Sequence, residues 1–211
     1  MGNRAVIKTE NSRIGVYLQW NGGRDSIEAF LKYCEMKGYR SPETDGYGWA
    51  RLAQVIGNFF GGTLSVGMVE INGYHDGEGC DNGAYVIRKW KIVGREDFSG
   101  PEQNEYSMNE MLKAIDEAQP VKEQFGDFLD MEEVDVKDVK VGDVVAYIET
   151  WSGQIIKEKV IGIGGEGCVN GQSIRGIPFV GRFDSDSCPA EMNINNYLRM
   201  DKIRIASRTE N

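Results

Sequence analysis

The chain has 211 residues and a formal net charge of −9, and 40% of its residues are hydrophobic. This composition is typical of a globular protein, and no apolar run reaches the roughly 20 residues that a membrane-spanning helix needs. Four widely separated cysteines and one histidine argue against zinc-finger spacing, a dense disulfide framework and a histidine-rich metal centre. The N-terminus also lacks the apolar core of a secretory signal, so we expect a cytoplasmic protein with no cofactor and no membrane contact.

The first predicted elements are two strands and a helix. Residues 14–20 alternate between apolar and more polar side chains, which predicts a strand with one buried face. A shorter strand over residues 5–8 is expected to pair with it. Asp25 followed by Glu28 resembles a capping box and predicts a helix that ends before Gly38, a residue type that readily adopts positive φ.

A second helix, two further strands and a third helix follow. Apolar residues at helical spacing predict the second helix over residues 47–60. Residues 63–71 and residues 84–93 each alternate, and we expect them to form a hairpin. Ser107 and Glu110 form a capping box, which predicts that the third helix begins there.

This order of elements predicts an α+β fold. Consecutive hairpins favour an antiparallel sheet with helices on one face, in a domain that spans residues 1–120. Residues 121–138 are interpreted as an acidic linker, because Asp and Glu dominate them. Residues 139–211 contain short β runs separated by glycines, which predicts a small SH3-like β-barrel domain.

Residues 74–83 form the strongest local candidate for a small-ligand site. The candidate side chains in this loop are His75, Asp76, Glu78 and Asp81. Their spacing departs from that of an EF-hand, so a long hairpin loop rich in turn-forming residues is the ordinary interpretation. Asn21 and Arg24 lie in a turn that opens a helix, where backbone amides favour anions. A small-ligand-binding protein or hydrolase that uses both segments is therefore the alternative function.

A second group of residues suits the surface of another protein, because aromatic and arginine side chains dominate interface hot spots. These residues are Arg24, Arg40, Tyr47 and Arg51. In the acidic stretch, the side chains that suit a partner with a basic groove are Glu132, Glu133 and Asp135. A solvated charged face is the ordinary interpretation of that stretch.

Four strings, MGNRAVI, WNGGRDS, YGWARL and IGNFFGG, carry a resemblance to a known group of proteins. The chain resembles an uncharacterised accessory protein family of phages, prophages and conjugative elements of Firmicutes. The likeness covers mainly residues 1–95. Because small accessory proteins of mobile elements often disarm host defences, the resemblance implies a counter-defence role.

These observations lead to one main hypothesis. We expect a non-enzymatic protein-binding factor of a mobile genetic element, in the class of anti-CRISPR and anti-restriction inhibitors, whose partner is a host nuclease. The net charge disfavours direct nucleic-acid binding without excluding it. A structural role in a virion is a weaker hypothesis, because the chain contains no repeats.

Overall fold

The structure is a computed structural model, and it describes residues 2–62, 64–72, 77–134, 138–148, 154–164, 168–173, 178–182 and 203–208. The chain divides into two compact units, residues 1–124 and residues 125–211. The fold is α+β, as predicted, with a mixed sheet in the first unit and an antiparallel sheet in the second. In the described part of the chain, no helix is long and apolar enough to cross a membrane.

The first unit combines a five-stranded sheet with α-helices. Its strands are β1 (Ala5–Lys8), β2 (Ile14–Leu18), β3 (Val66–Glu70), β4 (Ala84–Arg88) and β5 (Lys91–Glu96). Its helices are α1 (Arg24–Met36), α2 (Gly46–Phe59) and α3 (Met108–Glu117). In the strand order β3-β2-β1-β4-β5, β1 lies in the centre, so all of its residues are buried.

The connection between β3 and β4 differs from the predicted hairpin. β3 pairs with β2, whereas β4 pairs in parallel with β1, so the sheet is mixed rather than antiparallel. Residues 71–83 therefore lead from an edge strand to a strand beside the centre of the sheet. The hairpin prediction was wrong because alternation identifies a strand but not its neighbour, and consecutive strands pair only about two-thirds of the time.

The predicted strand over residues 84–93 is in fact the hairpin of β4 and β5. Lys89 and Trp90 connect the two strands, with φ angles of 47° and 62°. Two consecutive positive φ angles are typical of a type I′ turn, which favours Asn or Gly. Neither Lys89 nor Trp90 is typical of such a turn, so the sequence did not predict it. Trp90 is consequently buried in a turn rather than placed on a strand face.

Capping interactions confirm one predicted helix start and correct another. α3 begins with the capping box of Ser107 and Glu110, as predicted. The predicted capping role of Asp25 is wrong, because Gly23 is the N-cap of α1. The Asp25 carboxylate instead accepts hydrogen bonds from the backbone amides of residues 105–106 at 2.6 and 2.8 Å. The other carboxylate oxygen accepts from the Ser26 amide at 2.7 Å, so Asp25 joins the start of α1 to residues 105–106.

α1 and α3 are joined by both apolar and polar contacts. The inward face of α1 is buried, as its spacing predicted, at Ile27, Phe30, Leu31 and Cys34. On the same helix, the buried Tyr33 hydroxyl donates a 2.8 Å hydrogen bond to the Asp116 carboxylate of α3. This polar contact fixes how α3 lies against α1, since a buried hydroxyl needs a partner.

The second unit is built on a six-stranded antiparallel sheet. Its strands are β6 (Glu132–Val134), β7 (Val144–Ile148), β8 (Ile155–Gly164), β9 (Cys168–Ser173), β10 (Pro178–Arg182) and β11 (Ile203–Ser207). The strand order is β10-β9-β8-β7-β11-β6. Among the described strands, no pairing joins β10 to β6, so the closure of an SH3-like barrel stays a prediction.

Part of the stretch interpreted as a linker is folded against β11. Residues 132–134 pair with β11 as β6, after a short 3₁₀ helix over Gly126–Asp130. The Arg204 guanidinium donates from Nη1 to three carbonyl groups of this segment. The acceptors are the oxygens of Phe128, Leu129 and Met131, at 3.0, 2.8 and 3.2 Å. One arginine of β11 thus binds the backbone of the segment that precedes β6.

The β4–β5 turn generates a stability prediction. Lys89→Asn should raise the free energy of unfolding by about 0.5–1 kcal/mol, because Asn tolerates positive φ better than Lys. Urea denaturation of the full chain measures the change. The matched control is Lys91→Asn in β5, which should not stabilise the protein because Asn is a poor strand residue. A loss of stability in Lys89→Asn would contradict the turn geometry.

Candidate functional site

A buried polar cluster joins the N-terminal segment to the end of the 77–83 loop. Asn82 is its hub and is 0% exposed. The Asn82 side-chain amide donates to Asn3 Oδ1 at 2.6 Å and to Gln103 Oε1 at 3.4 Å. Arg95 donates to the Asn82 carbonyl oxygen at 2.6 Å and to Asn82 Oδ1 at 3.3 Å. We call Asn3, Asn82, Arg95 and Gln103 the Asn82 centre.

Two aromatic rings hold the Arg95 guanidinium in place. Its Cζ atom lies 3.8 Å from the ring centroid of Tyr85 and 3.8 Å from that of Phe98. Burial raises the pKa of the Tyr85 hydroxyl, which donates a 3.0 Å hydrogen bond to the Gly22 carbonyl oxygen. Arg95 also pairs with Glu102 at 3.0 Å. The Arg95 guanidinium is therefore packed between two aromatic rings, and its charge is balanced by the Glu102 carboxylate.

The turn before α1 is fixed to the same centre. The Gly22 amide donates to the Asn3 carbonyl oxygen at 2.8 Å. A Cβ atom at Gly22 would lie 2.6 Å from that oxygen, so only glycine fits this approach. The Asn21–Arg24 turn and the described end of the 74–83 loop therefore both bond to Asn3.

The side chains nominated for ligand binding bond to their neighbours in the protein. Asn21 donates to Ser26 Oγ at 3.4 Å, and Arg24 pairs with Glu28 at 2.7 Å. In the loop, Glu78 is exposed, and Asp81 pairs with Arg4 at 3.0 Å. His75 and Asp76 lie outside the described residues. The Arg4 hydrogen bonds lower the pKa of the Asp81 carboxyl. Within the described residues, no cluster of His, Cys, Asp or Glu is arranged to hold a metal ion.

Three of the residues nominated for protein binding lie around the start of α2. The Arg40 guanidinium is 5.5 Å from the Tyr47 ring centroid, and it pairs with Asp45 at 2.5 Å. The Arg51 guanidinium is 5.8 Å from the Tyr39 ring centroid. Tyr47 is 67% exposed. We call Tyr39, Arg40, Tyr47 and Arg51 the α2 corner.

The α2 corner is braced by the β4–β5 turn. The indole Nε1 of Trp90 donates to the Tyr39 carbonyl oxygen at 2.9 Å. The Lys89 amide donates to the Glu43 carboxylate at 2.8 Å. Asp45, the partner of Arg40, is itself fixed as the N-cap of α2. The exposed side chains of the α2 corner are therefore attached to a backbone that these hydrogen bonds hold in place.

Arg24 does not belong to this corner. It is the first residue of α1, whereas Tyr39 follows the last turn of the same helix. A rise of about 1.5 Å per residue separates the two ends of α1 by about 18 Å. Arg24 lies instead beside the Asn82 centre, where its guanidinium is 3.6 Å from Glu102.

The acidic residues of β6 have basic partners within their own unit. Glu132 pairs with Arg208 at 3.1 Å, and Glu133 pairs with Arg204 at 3.5 Å. Their side chains remain 64% and 56% exposed. Asp135 lies outside the described residues. The acidic surface is therefore accessible but partly neutralised, which the sequence did not reveal because the arginines lie near the far end of the chain.

The comparisons with known proteins return nothing similar. No family model matches the chain, and neither the curated proteins nor the solved structures contain a match. The resemblance to a mobile-element family therefore stays a prediction, and the function is argued from the chain's own geometry.

The Asn82 centre generates a second stability prediction. Asn82→Ala should lower the free energy of unfolding by about 1–3 kcal/mol, because it removes the amide donor of Asn3 Oδ1 and Gln103 Oε1 and one of the acceptors of Arg95. Asn109→Ala is the control, since Asn109 is exposed on α3 and should change stability by less than about 0.5 kcal/mol. Chemical denaturation of both variants measures the two changes in the free energy of unfolding. Equal, small losses would show that the centre is not a stabilising hub.

Proposed function

We propose that the protein is a non-enzymatic factor that binds another protein through the α2 corner. The observation that carries this proposal is the Arg40–Tyr47 pair, an exposed aromatic ring with a guanidinium 5.5 Å from its centroid. Tyr and Arg supply most hot-spot energy in protein interfaces. Here Asp45 already holds Arg40 in position, so less conformational entropy is lost on binding.

The acidic residues of β6 would provide a second contact. Glu132 and Glu133 are more than half exposed, and they suit a basic groove on the partner. Because each already pairs with an arginine, their main contribution would be to the rate and orientation of encounter rather than to the final affinity.

The proposed biological setting is counter-defence by a mobile genetic element, with a host nuclease as the partner. One expectation and one observation support it. The sequence strings in residues 1–95 lead us to expect an accessory family of phages and conjugative elements. The chain also carries a net charge of −9, which suits the basic grooves in which nucleases hold nucleic acid.

We also propose that β6–β11 belong to a small SH3-like barrel. The antiparallel order of the six strands supports this architecture, because such strands need only one further pairing to close. Closure would remove the exposed edges of β10 and β6.

The proposed function predicts a partner that depends on Tyr47. Tagged full-length protein would be incubated with lysate of a Firmicutes host, alongside Tyr47→Ala and Tyr106→Ala variants. Tyr106 is the matched control, because it is an exposed tyrosine away from the corner. We expect a retained protein whose recovery falls at least about tenfold with Tyr47→Ala and stays unchanged with Tyr106→Ala.

Further variants separate the parts of the proposal. If the retained protein is a nuclease, the counter-defence role is supported, and inhibition of its cleavage is then assayed directly. Glu132→Gln with Glu133→Gln should slow association and reduce its salt dependence. Equal recovery with Tyr47→Ala would show that the α2 corner is not the binding surface.

A second candidate function is small-ligand binding beside the Asn82 centre. The observation that favours it is that Gly22 and Asn82 both bond to Asn3, which brings the two nominated segments together. The exposed indole of Trp20 lies next to this turn and could cover a ligand. A ligand would have to compete with the internal pair of Arg4 and Asp81.

Ligand binding predicts a thermal shift. The small-molecule fraction of a host extract should raise Tm, because a ligand at 100 times its Kd adds about 2.7 kcal/mol of stability. Arg24→Gln should abolish the shift, because Arg24 is the cation nominated for the ligand, whereas Arg13→Gln, at an exposed position of the β1–β2 turn, should retain it. A shift that survives Arg24→Gln would place the ligand elsewhere.

A further inference from the structure

The α2 corner continues into a basic hairpin tip. Residues 88–91 of the β4–β5 hairpin read Arg-Lys-Trp-Lys, and Arg88 lies opposite Lys91 in the strand register. The Trp90 indole and the Lys89 amide both bond to the α1–α2 loop, so the tip lies against the loop that carries Tyr39 and Arg40. We call the tip and the α2 corner together the basic corner, and its cations are Arg40, Arg51, Arg88, Lys89 and Lys91.

The acidic residues of this surface are already engaged. Glu10 pairs with Arg88 at 2.6 Å, and Asp45 pairs with Arg40 at 2.5 Å. The Glu43 carboxylate accepts from the backbone amide of Lys89.

Within the described residues, the side chains of three cations of the basic corner form no ion pair with a carboxylate. They are Arg51, Lys89 and Lys91, all of which are exposed. A local positive surface therefore remains on a chain whose net charge is −9.

We propose that the basic corner binds an acidic segment of the partner protein. This inference rests on the proposed function and adds the chemistry of the contact. The segment bound at the basic corner would be acidic, whereas the groove that suits the acidic residues of β6 would be basic. Carboxylates of the segment would pair with the ammonium groups of Lys89 and Lys91, while the Tyr47 ring provides apolar contact beside them. Arg51 lies on the Tyr39 ring and extends the positive surface along α2.

The charge distribution favours an acidic peptide over a nucleic acid. A polyanion of many phosphates interacts with the whole chain, whose net charge repels it. A segment with a few carboxylates experiences mainly the cations within a Debye length, about 8 Å at physiological salt. The cations of the basic corner come from two short stretches, residues 40–51 and residues 88–91.

The test uses full-length protein and a fluorescent 12-residue peptide of alternating Glu and Ser. We expect saturable binding at about 20 mM salt that weakens strongly near 200 mM, as anisotropy measures. Lys89→Gln with Lys91→Gln should weaken binding about three- to tenfold. The matched control, Lys122→Gln with Lys140→Gln, removes two exposed lysines elsewhere and should change it less than about twofold.

Several outcomes would overturn the inference. They are the absence of saturable binding, equal binding of the peptide with Gln in place of Glu, and equal effects of the two double variants. Tighter, Lys89-dependent binding of a 12-nucleotide single strand would identify a nucleic acid as the occupant instead. Thermal melts confirm that each variant is folded.

The captured partner separates this inference from the proposed function. If its recovery depends on Tyr47 but not on Lys89 and Lys91, the protein-binding function stands and the acidic-segment inference fails. If recovery depends on all three, both are supported.

Discussion

The hydrogen bonds between Asn82 and Arg95 are the constraint on which the first unit depends. Asn82 is fully buried, and it links the N-terminal segment, the β5 arginine and the 98–106 segment. β1 is the central strand but has only four residues, so few ladder bonds fix its position. The contacts of Asn3 and Arg4 with Gly22, Asp81 and Asn82 extend that anchorage beyond the strand itself. A polar hub of this kind specifies one arrangement, because every alternative leaves buried donors unpaired.

This anchorage determines which surface residues are available for recognition. Near the Asn82 centre, the charged side chains of Arg4 and Arg24 are paired with carboxylates of neighbouring segments. At the opposite end of α1, the Tyr47 ring is exposed while its backbone is held by the Asp45 cap and its face is covered by Arg40. An exposed aromatic ring on an ordered backbone loses little freedom when it is buried by a partner, and this favours the α2 corner as the binding surface.

The sequence predicted the features that depend on interactions between neighbouring residues. The α3 capping box and the end of α1 before Gly38, with its φ of 67°, depend on residues within four positions of each other. The strand at residues 14–18 also follows from alternation. The parallel pairing of β1 with β4, and the Asn82 contact with Asn3 across 79 positions, depend on residues that no local pattern relates. The nominated site residues are local clusters and stay a prediction, whereas no local pattern points to the Asn82 hub.

The internal ion pairs of the two charged surfaces limit what charge alone can achieve. Arg40 with Asp45, and Glu132 with Arg208, are exposed pairs, and pairs of this kind contribute only about 0–1 kcal/mol each. Charges of either sign can therefore accelerate encounter and select orientation, but a stable complex needs buried apolar area. A buried aromatic side chain contributes about 150–250 Å² of contact. Under the proposed function, the affinity would therefore depend on how completely a partner covers the Tyr47 ring, while Lys89 and Lys91 would influence which partners approach it.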